Sequence, residues 1–259
     1  MQRKKVITAG TYRREVIYTP PTKWDTPQQA RERRGHSSEA RKKMNDKTAK
    51  GKLKLLLAAN FGPDDYLCTF TYRDEDLPSR RKTAYEDVRK YFKTLRTVRR
   101  ARGEDLKYVY VIEHKHGAGR WHVHAAISRS GKASHEEIKS IWTHGDITEV
   151  KPFRSIEAPG NPGYKAAAEY LAKEGIEDRP LGTKMWAGSR NLTQPTTETY
   201  WVSDNATIRP PKGSHIVERD EKRTEYGRYQ YCEYILPAPV KPRKHQTRKQ
   251  GKPSKPPTA

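Results

Sequence analysis

The sequence predicts an α+β fold: an antiparallel β-sheet with helices packed on one face, and a disordered basic tail at the C-terminus. Three observations carry this. Residues 107–113 and 121–127 are strand-like runs joined by a short link containing Gly117, Ala118 and Gly119, and so short a link permits only an antiparallel pair. Two long segments, near 38–60 and 83–102, place apolar residues at helical spacing with cations on the other face. Strands and helices then alternate irregularly, which does not build a doubly wound parallel sheet.

In order along the chain, Val6 to Thr8 and Glu15 to Tyr18 are short β-prone runs, and Pro20 and Pro21 interrupt the chain after them. Ser37 or Ser38 caps a helix running to about Asn60, with Ala49, Leu53, Leu56 and Leu57 on one face. Residues 31–54 hold ten Lys or Arg against three acids, so its other face is basic. Tyr66 to Tyr72 (YLCTFTY) reads as a strand. Thr83-x-x-Glu86 has the form of a capping box. The helix behind it sets Val88, Tyr91, Phe92, Leu95 and Val98 against a face carrying Arg89, Lys90, Lys93, Arg96, Arg99, Arg100 and Arg102. After the hairpin, Ser134-x-x-Glu137 caps a short helix ending near Trp142, and Asp146 to Val150 is a further strand. A helix from about Lys165 to Glu174 stops at Gly175. Residues 215–236 form a last hairpin through Gly227. The expected division is an N-terminal extension over 1–36, a main domain over 37–203, a hairpin extension over 204–236 and the tail from 237 to 259.

The 259 residues carry a formal net charge of +22 and only 33% hydrophobic residues. The last 23 residues contain six Pro, seven Lys or Arg and no acid, a composition that cannot bury a core. The longest apolar runs, Leu55 to Ala59 and Tyr108 to Ile112, are far too short to span a bilayer. The first ten residues hold no apolar stretch of the secretory kind. Cys68 and Cys232 make neither a disulfide framework nor a Cys-based zinc site. The expectation is a cytoplasmic protein with no membrane partner, bound to a polyanion, with nucleic acid the default. The helix cations Arg89, Lys93, Arg96 and Arg100, together with Tyr72 and Arg120 beside the strand motifs, are candidate nucleic-acid contacts.

The unit that carries chemistry is Trp121-His122-Val123-His124. On a strand, His122 and His124 point to the same face. If the hairpin closes over residues 117–119, Glu113 lies opposite His122 and Val111 opposite His124, so Glu113 joins that face. Two imidazoles and a carboxylate suit a divalent ion such as Mn²⁺ or Mg²⁺. His114 falls on the opposite face and His116 in the turn. The second unit is Tyr170-Leu-Ala-Lys173. At i and i+3 on a helix, the phenol and the ammonium are neighbours, and the cation favours the phenolate of an attacking tyrosine. Tyr164, six residues earlier, faces elsewhere on that helix.

Taken together, these residues resemble the HUH endonucleases that initiate rolling-circle replication. Asn60-Phe61 with Tyr66 to Tyr72 is similar to the first motif of such Rep proteins. Tyr110 to Glu113 with Gly119 to His124 is similar to the second, and Tyr170 to Lys173 to the third. Ser189-Arg-Asn-Leu192 with Pro195 resembles a segment that follows the tyrosine in phage and plasmid members. The likeness spans roughly residues 40–202. It departs from the family at Trp121, where a proline or small residue often precedes the first histidine.

The resemblance implies an HUH-type nuclease domain over 37–203. His122 and His124 hold the divalent ion, with Glu113 as third ligand. Tyr170 attacks the scissile phosphate of single-stranded origin DNA, leaving a 5′-phosphotyrosyl link and a free 3′-OH, and Lys173 assists. The sequence has no G-x-x-x-x-G-K-[ST] motif, so unwinding falls to a host helicase and extension of the primer to a host DNA polymerase. A mobilisation relaxase is the neighbouring alternative. It would place its tyrosine near the N-terminus, where Tyr12 and Tyr18 stand. A non-catalytic single-strand binder using Tyr72, Tyr91, Tyr108 and Tyr110 needs no metal, and a packaging protein needs only the basic tail.

Overall fold

The structure is a computed structural model. It describes residues 1–20, 39–114, 120–131, 134–145, 148–153, 164–172, 184–224 and 227–237. The described elements are β1 (Gln2–Ala9), β2 (Tyr12–Tyr18), α1 (Glu39–Asn60), β3 (Tyr66–Thr71), α2 (Arg81–Arg100), β4 (Tyr108–His114) and β5 (Trp121–Ile127). They continue as α3 (Ser134–Ile141), β6 (Thr148–Pro152), α4 (Tyr164–Leu171), β7 (Ala187–Gly188), β8 (Thr196–Val202), β9 (His215–Thr224) and β10 (Gly227–Ile235). The α+β class holds, built on two five-stranded sheets with every strand pair antiparallel.

One sheet has the order β8-β1-β2-β10-β9. The strands of the N-terminal segment, the end of the central segment and the C-terminal hairpin therefore share one set of ladders. Gly10 turns β1 into β2 at φ 62°, a conformation natural to glycine, and a Cβ there would press on the Ala58 carbonyl at 3.2 Å.

The other sheet has the order β6-β3-β5-β4-β7. Strand alternation gives it two different faces. Cys68, Phe70, Tyr110, Ile112, Val123 and Ala125 point to the face covered by α2 and α3. Val109, Val111 and Ala126 point to the face covered by α1 and α4. Helices thus cover both faces rather than one. A sheet whose central strands are apolar on both sides has to be covered twice.

Three local expectations change. The Thr83–Glu86 pattern does not cap its helix. Helix α2 starts at Arg81 with Arg80 as N-cap and no side-chain cap bond, while the backbone N–H groups of Thr83 and Ala84 already donate to the Arg80 carbonyl. The sixth strand begins at Thr148 rather than Asp146, which lies outside the described residues. Helix α4 runs to Leu171, with the backbone of Ala172 still bonded to Ala168. The Ser37 and Ser38 caps, the 117–119 turn, Lys173 to Gly175 and the tail beyond residue 237 lie outside the described residues. No described helix is long and apolar enough to cross a membrane.

Candidate active site

The hairpin register is the expected one. Glu113 pairs with His122 and Val111 with His124. On the other side of β5, strand β3 sets Thr71 against His122 and Thr69 against His124. Thr69, Thr71, His122, His124 and Glu113 therefore occupy one face in two adjacent rows. His114 is on the other face, its ring 4.2 Å from that of Trp121.

Within this patch, His124 Nε2 lies 2.7 Å from a Glu113 carboxylate oxygen, and both residues are buried. The Thr69 hydroxyl lies 3.2 Å from His124 Nδ1 and 2.8 Å from the Tyr170 hydroxyl. The Tyr170 ring meets that of His124 edge-on at 5.0 Å. With the carboxylate ionised and the imidazole neutral, the donors run one way: Tyr170 to Thr69, Thr69 to His124, His124 to Glu113. The nucleophile candidate is thus connected to the carboxylate through two side chains. Tyr170 is half-buried, leaving part of its ring open to solvent.

His122 is also half-buried, its ring nearly parallel to that of His124 with centroids 6.5 Å apart. Among the described residues, no three His, Cys, Asp or Glu side chains converge into a closed metal cluster. The donor chemistry nevertheless suits a hard or borderline cation. The 2.7 Å between His124 Nε2 and Glu113 is close to the ~3 Å between neighbouring ligand atoms around an octahedral ion with bonds of about 2.1 Å. His122, on the same face, is the available third donor.

Helix α4 reaches the patch because its other face is small and apolar. Ala167, Ala168 and Leu171 pack with Leu53, Leu56 and Leu57 of α1. Tyr164 is sealed in that cluster, its hydroxyl donating to the Phe61 carbonyl at 2.6 Å. Tyr12, one of the tyrosines a relaxase would need, is also buried. It donates to Glu233 at 2.6 Å, and burial and that carboxylate push its phenol pKa far up. The flanking motif residues are structural. Asn60 bonds across to the backbone of Thr193, and the Ser189 hydroxyl accepts the Tyr108 N–H.

The nucleic-acid candidates divide. Arg89, Lys93 and Arg100 are exposed on α2 and Arg96 is half-exposed. Arg120 sits at the open end of the His122 row, paired with Asp74 and donating to the Tyr72 carbonyl at 2.6 Å. Tyr72 does not serve as a stacking surface. It is 2% exposed, packed edge-on to Trp142, with its hydroxyl aimed at Asp87. Arg99 leaves the basic face as well. It is fully buried, bonded to Glu137 and the Ser128 carbonyl. Tyr91, Tyr108 and Tyr110 are likewise buried.

Thr69 is a functional candidate that residue type alone does not single out. Its signal is positional, since it shares strand parity with Thr71 and lies in the segment similar to the first motif. No curated protein and no solved structure gave a significant match to the chain. A family model does match, and it covers every side chain of this patch: residues 65–175 match the model of the replication-associated protein family ORF2.

Proposed function

We propose that this protein is a replication initiator that nicks and rejoins single-stranded DNA at a replication origin, with Tyr170 as the nucleophile. The observation that carries this reading is the hydrogen-bonded chain from Tyr170 through Thr69 and His124 to Glu113. It sets an accessible phenol beside the histidine strand within the segment similar to replication-associated proteins.

The Tyr170 oxygen attacks the scissile phosphorus in line, a P–O bond to the phenol forms, and the bond to the 3′ oxygen breaks. The 3′ oxygen leaves with the electron pair, and in net terms the phenolic proton ends on it. One phosphodiester replaces another, so the released 3′-OH can prime synthesis and the strand can later be rejoined. Thr69 fixes the Tyr170 hydroxyl and the His124 ring relative to each other, which supplies orientation before the chemistry. Glu113, His122 and His124 are the side chains to hold a divalent cation, which when bound polarises a non-bridging phosphate oxygen. Arg120 lies where a phosphate beside His122 would be met, and the family likeness assigns phosphate orientation to Lys173. Unwinding and primer extension fall to a host helicase and polymerase in the bacterial cytoplasm.

The test is a denaturing-gel adduct assay on single-stranded DNA from the cognate origin region, with Mn²⁺ or EDTA. A metal-dependent, heat-stable shift that vanishes in Tyr170→Phe and His122→Ala is the expected result. An adduct that survives Tyr170→Phe would overturn the nucleophile. Tight binding without any adduct would favour the non-catalytic binder.

A further inference from the structure

On the sheet face opposite Tyr170, a cleft of about 770 Å³ runs between α2 and the β4–β7 edge. Arg89, Arg96, Arg100 and Arg190 line it, against the single acid Asp105. None of these four arginines has an ion pair among the described residues. An unneutralised row of guanidinium groups in one concavity attracts phosphates and raises their local concentration.

The floor is a ladder of rings. Phe92 stacks on Tyr108 with centroids 3.8 Å apart and planes 7° from parallel, Tyr110 lies 5.5 Å from Phe92, and Tyr85 lies 6.5 Å from Tyr110. The inner rings are closed off, but Tyr85 at the ladder's end is 43% exposed. Arg89 lies over the Tyr85 ring at 5.8 Å and Arg96 over Tyr108 at 5.7 Å. Packing α2 onto the sheet explains the inner rings. It does not explain an open tyrosine among arginines that have no carboxylate partners. An aromatic platform bordered by cations is the arrangement that takes unpaired bases and their backbone, since every base presents a π-face.

We infer that this cleft is a second single-stranded nucleic-acid site, in which a base stacks on Tyr85 while Arg89, Arg100 and Arg190 hold phosphates. Because Tyr108 and Tyr110 point away from the face that carries Glu113, the site is separate from the nicking patch. It takes a segment of strand away from the scissile phosphate. The inference rests on the replication reading for the identity of the strand, and its test needs neither metal nor cleavage.

The probe is fluorescently labelled dT20, titrated with the full chain in EDTA and read by anisotropy. Tyr85→Ala is expected to weaken binding about 5- to 150-fold, the range for losing one base stack. Tyr85→Phe and Tyr85→Trp should bind within a few-fold of the parent. Arg89→Gln with Arg190→Gln should flatten the plot of log K against log salt by about 0.7 for each phosphate no longer held. Thermal melts of each variant check folding, and Tyr85→Phe keeps the packing if Tyr85→Ala melts early. Unchanged affinity in both Tyr85→Ala and the double arginine variant would overturn the site. So would competition by duplex DNA as strong as that by dT20. A chain that forms no adduct yet loses dT20 on Tyr85→Ala would reject nicking and keep the cleft. Normal adduct formation with unaltered binding would do the reverse.

Discussion

Glu233 has no exposed surface, yet three groups converge on its carboxylate: Lys54 at 2.5 Å, Arg14 at 2.6 Å and the Tyr12 hydroxyl at 2.6 Å. The cluster ties α1, through Lys54, to β2 and β10. Burial alone would push the carboxyl pKa up, but the two cations and their hydrogen bonds outweigh it and hold the group at about 2, down from 4.5. A carboxylate depressed in this way stabilises the fold above its unfolded pKa and loses that stability as pH falls toward the folded one. The shift corresponds to about 3 kcal/mol. This is a ceiling, because burial also pushes the Lys54 pKa down, so the fold carries that ammonium at some cost. At pH 3.5, linkage removes about 1.4 kcal/mol of the contribution. Glu233→Gln should therefore cost about 3–5 kcal/mol at neutral pH, where it strands two buried cations. That penalty should shrink by about 1.4 kcal/mol at pH 3.5. Urea unfolding of both proteins at pH 7 and pH 3.5 measures the difference, and carboxylates common to both cancel. A penalty below about 1 kcal/mol at neutral pH, or one that does not change with pH, would refute the reasoning.

Other outcomes can be read from single contacts. Thr69→Val keeps the side-chain shape but removes the hydroxyl between Tyr170 and His124; single-turnover adduct formation should slow by about 10- to 100-fold, and Thr69→Ser should recover most of it. A Cβ at Gly145 would lie 1.9 Å from the Thr71 carbonyl oxygen, so Gly145→Ala should destabilise by about 2–3 kcal/mol and disturb the strand next to His122, as read by urea unfolding. Arg99→Met breaks the buried pair with Glu137; it should cost about 3–5 kcal/mol and leave dT20 affinity unchanged, whereas Arg100→Ala should do the opposite.

Parts of the site were legible because they depend only on neighbouring chain. The Glu113–His122 register follows from counting across one short hairpin, and the two-residue period of a strand then fixes which side chains share its face. Thr69 was not legible, because its role depends on β3 lying beside β5 at a separation of 55 residues. The sheet built from residues 2–18 and 196–235 is non-local in the same way. Two residues expected at the surface carried usable signals to the contrary. Tyr72 continues the parity of Cys68 and Phe70, both apolar, and so belonged to the inward set. Arg99 continues the spacing of Ala84, Val88, Leu95 and their neighbours on the buried stripe of α2, where its charge is met by Glu137 from α3. Residue type suggested the surface, but position decided otherwise.

The placement of the chemistry follows from how one sheet face changes character along its strands. Its first row, Leu67, Ala126 and Val109, is apolar and lies beneath α1 and α4. The next row brings Thr69 and His124 beside Val111, and the third is Thr71, His122 and Glu113. Polar side chains thus begin where the helical cover ends. Helix α4 stops over that boundary, and because Ala167 and Ala168 let it sit close to α1, Tyr170 reaches the Thr69 hydroxyl instead of standing above it. The position of the nucleophile is therefore set by packing on the far side of its own helix. A larger residue at Ala168, which is 2% exposed, would lift α4 and lengthen the Tyr170–Thr69 contact without touching a group that acts on DNA. Ala168→Leu should accordingly lower the rate of adduct formation while dT20 binding at the opposite face stays intact. A parallel loss of both would show that the two faces of the sheet are not independent, and would remove the basis for treating nicking and strand holding as separate tasks.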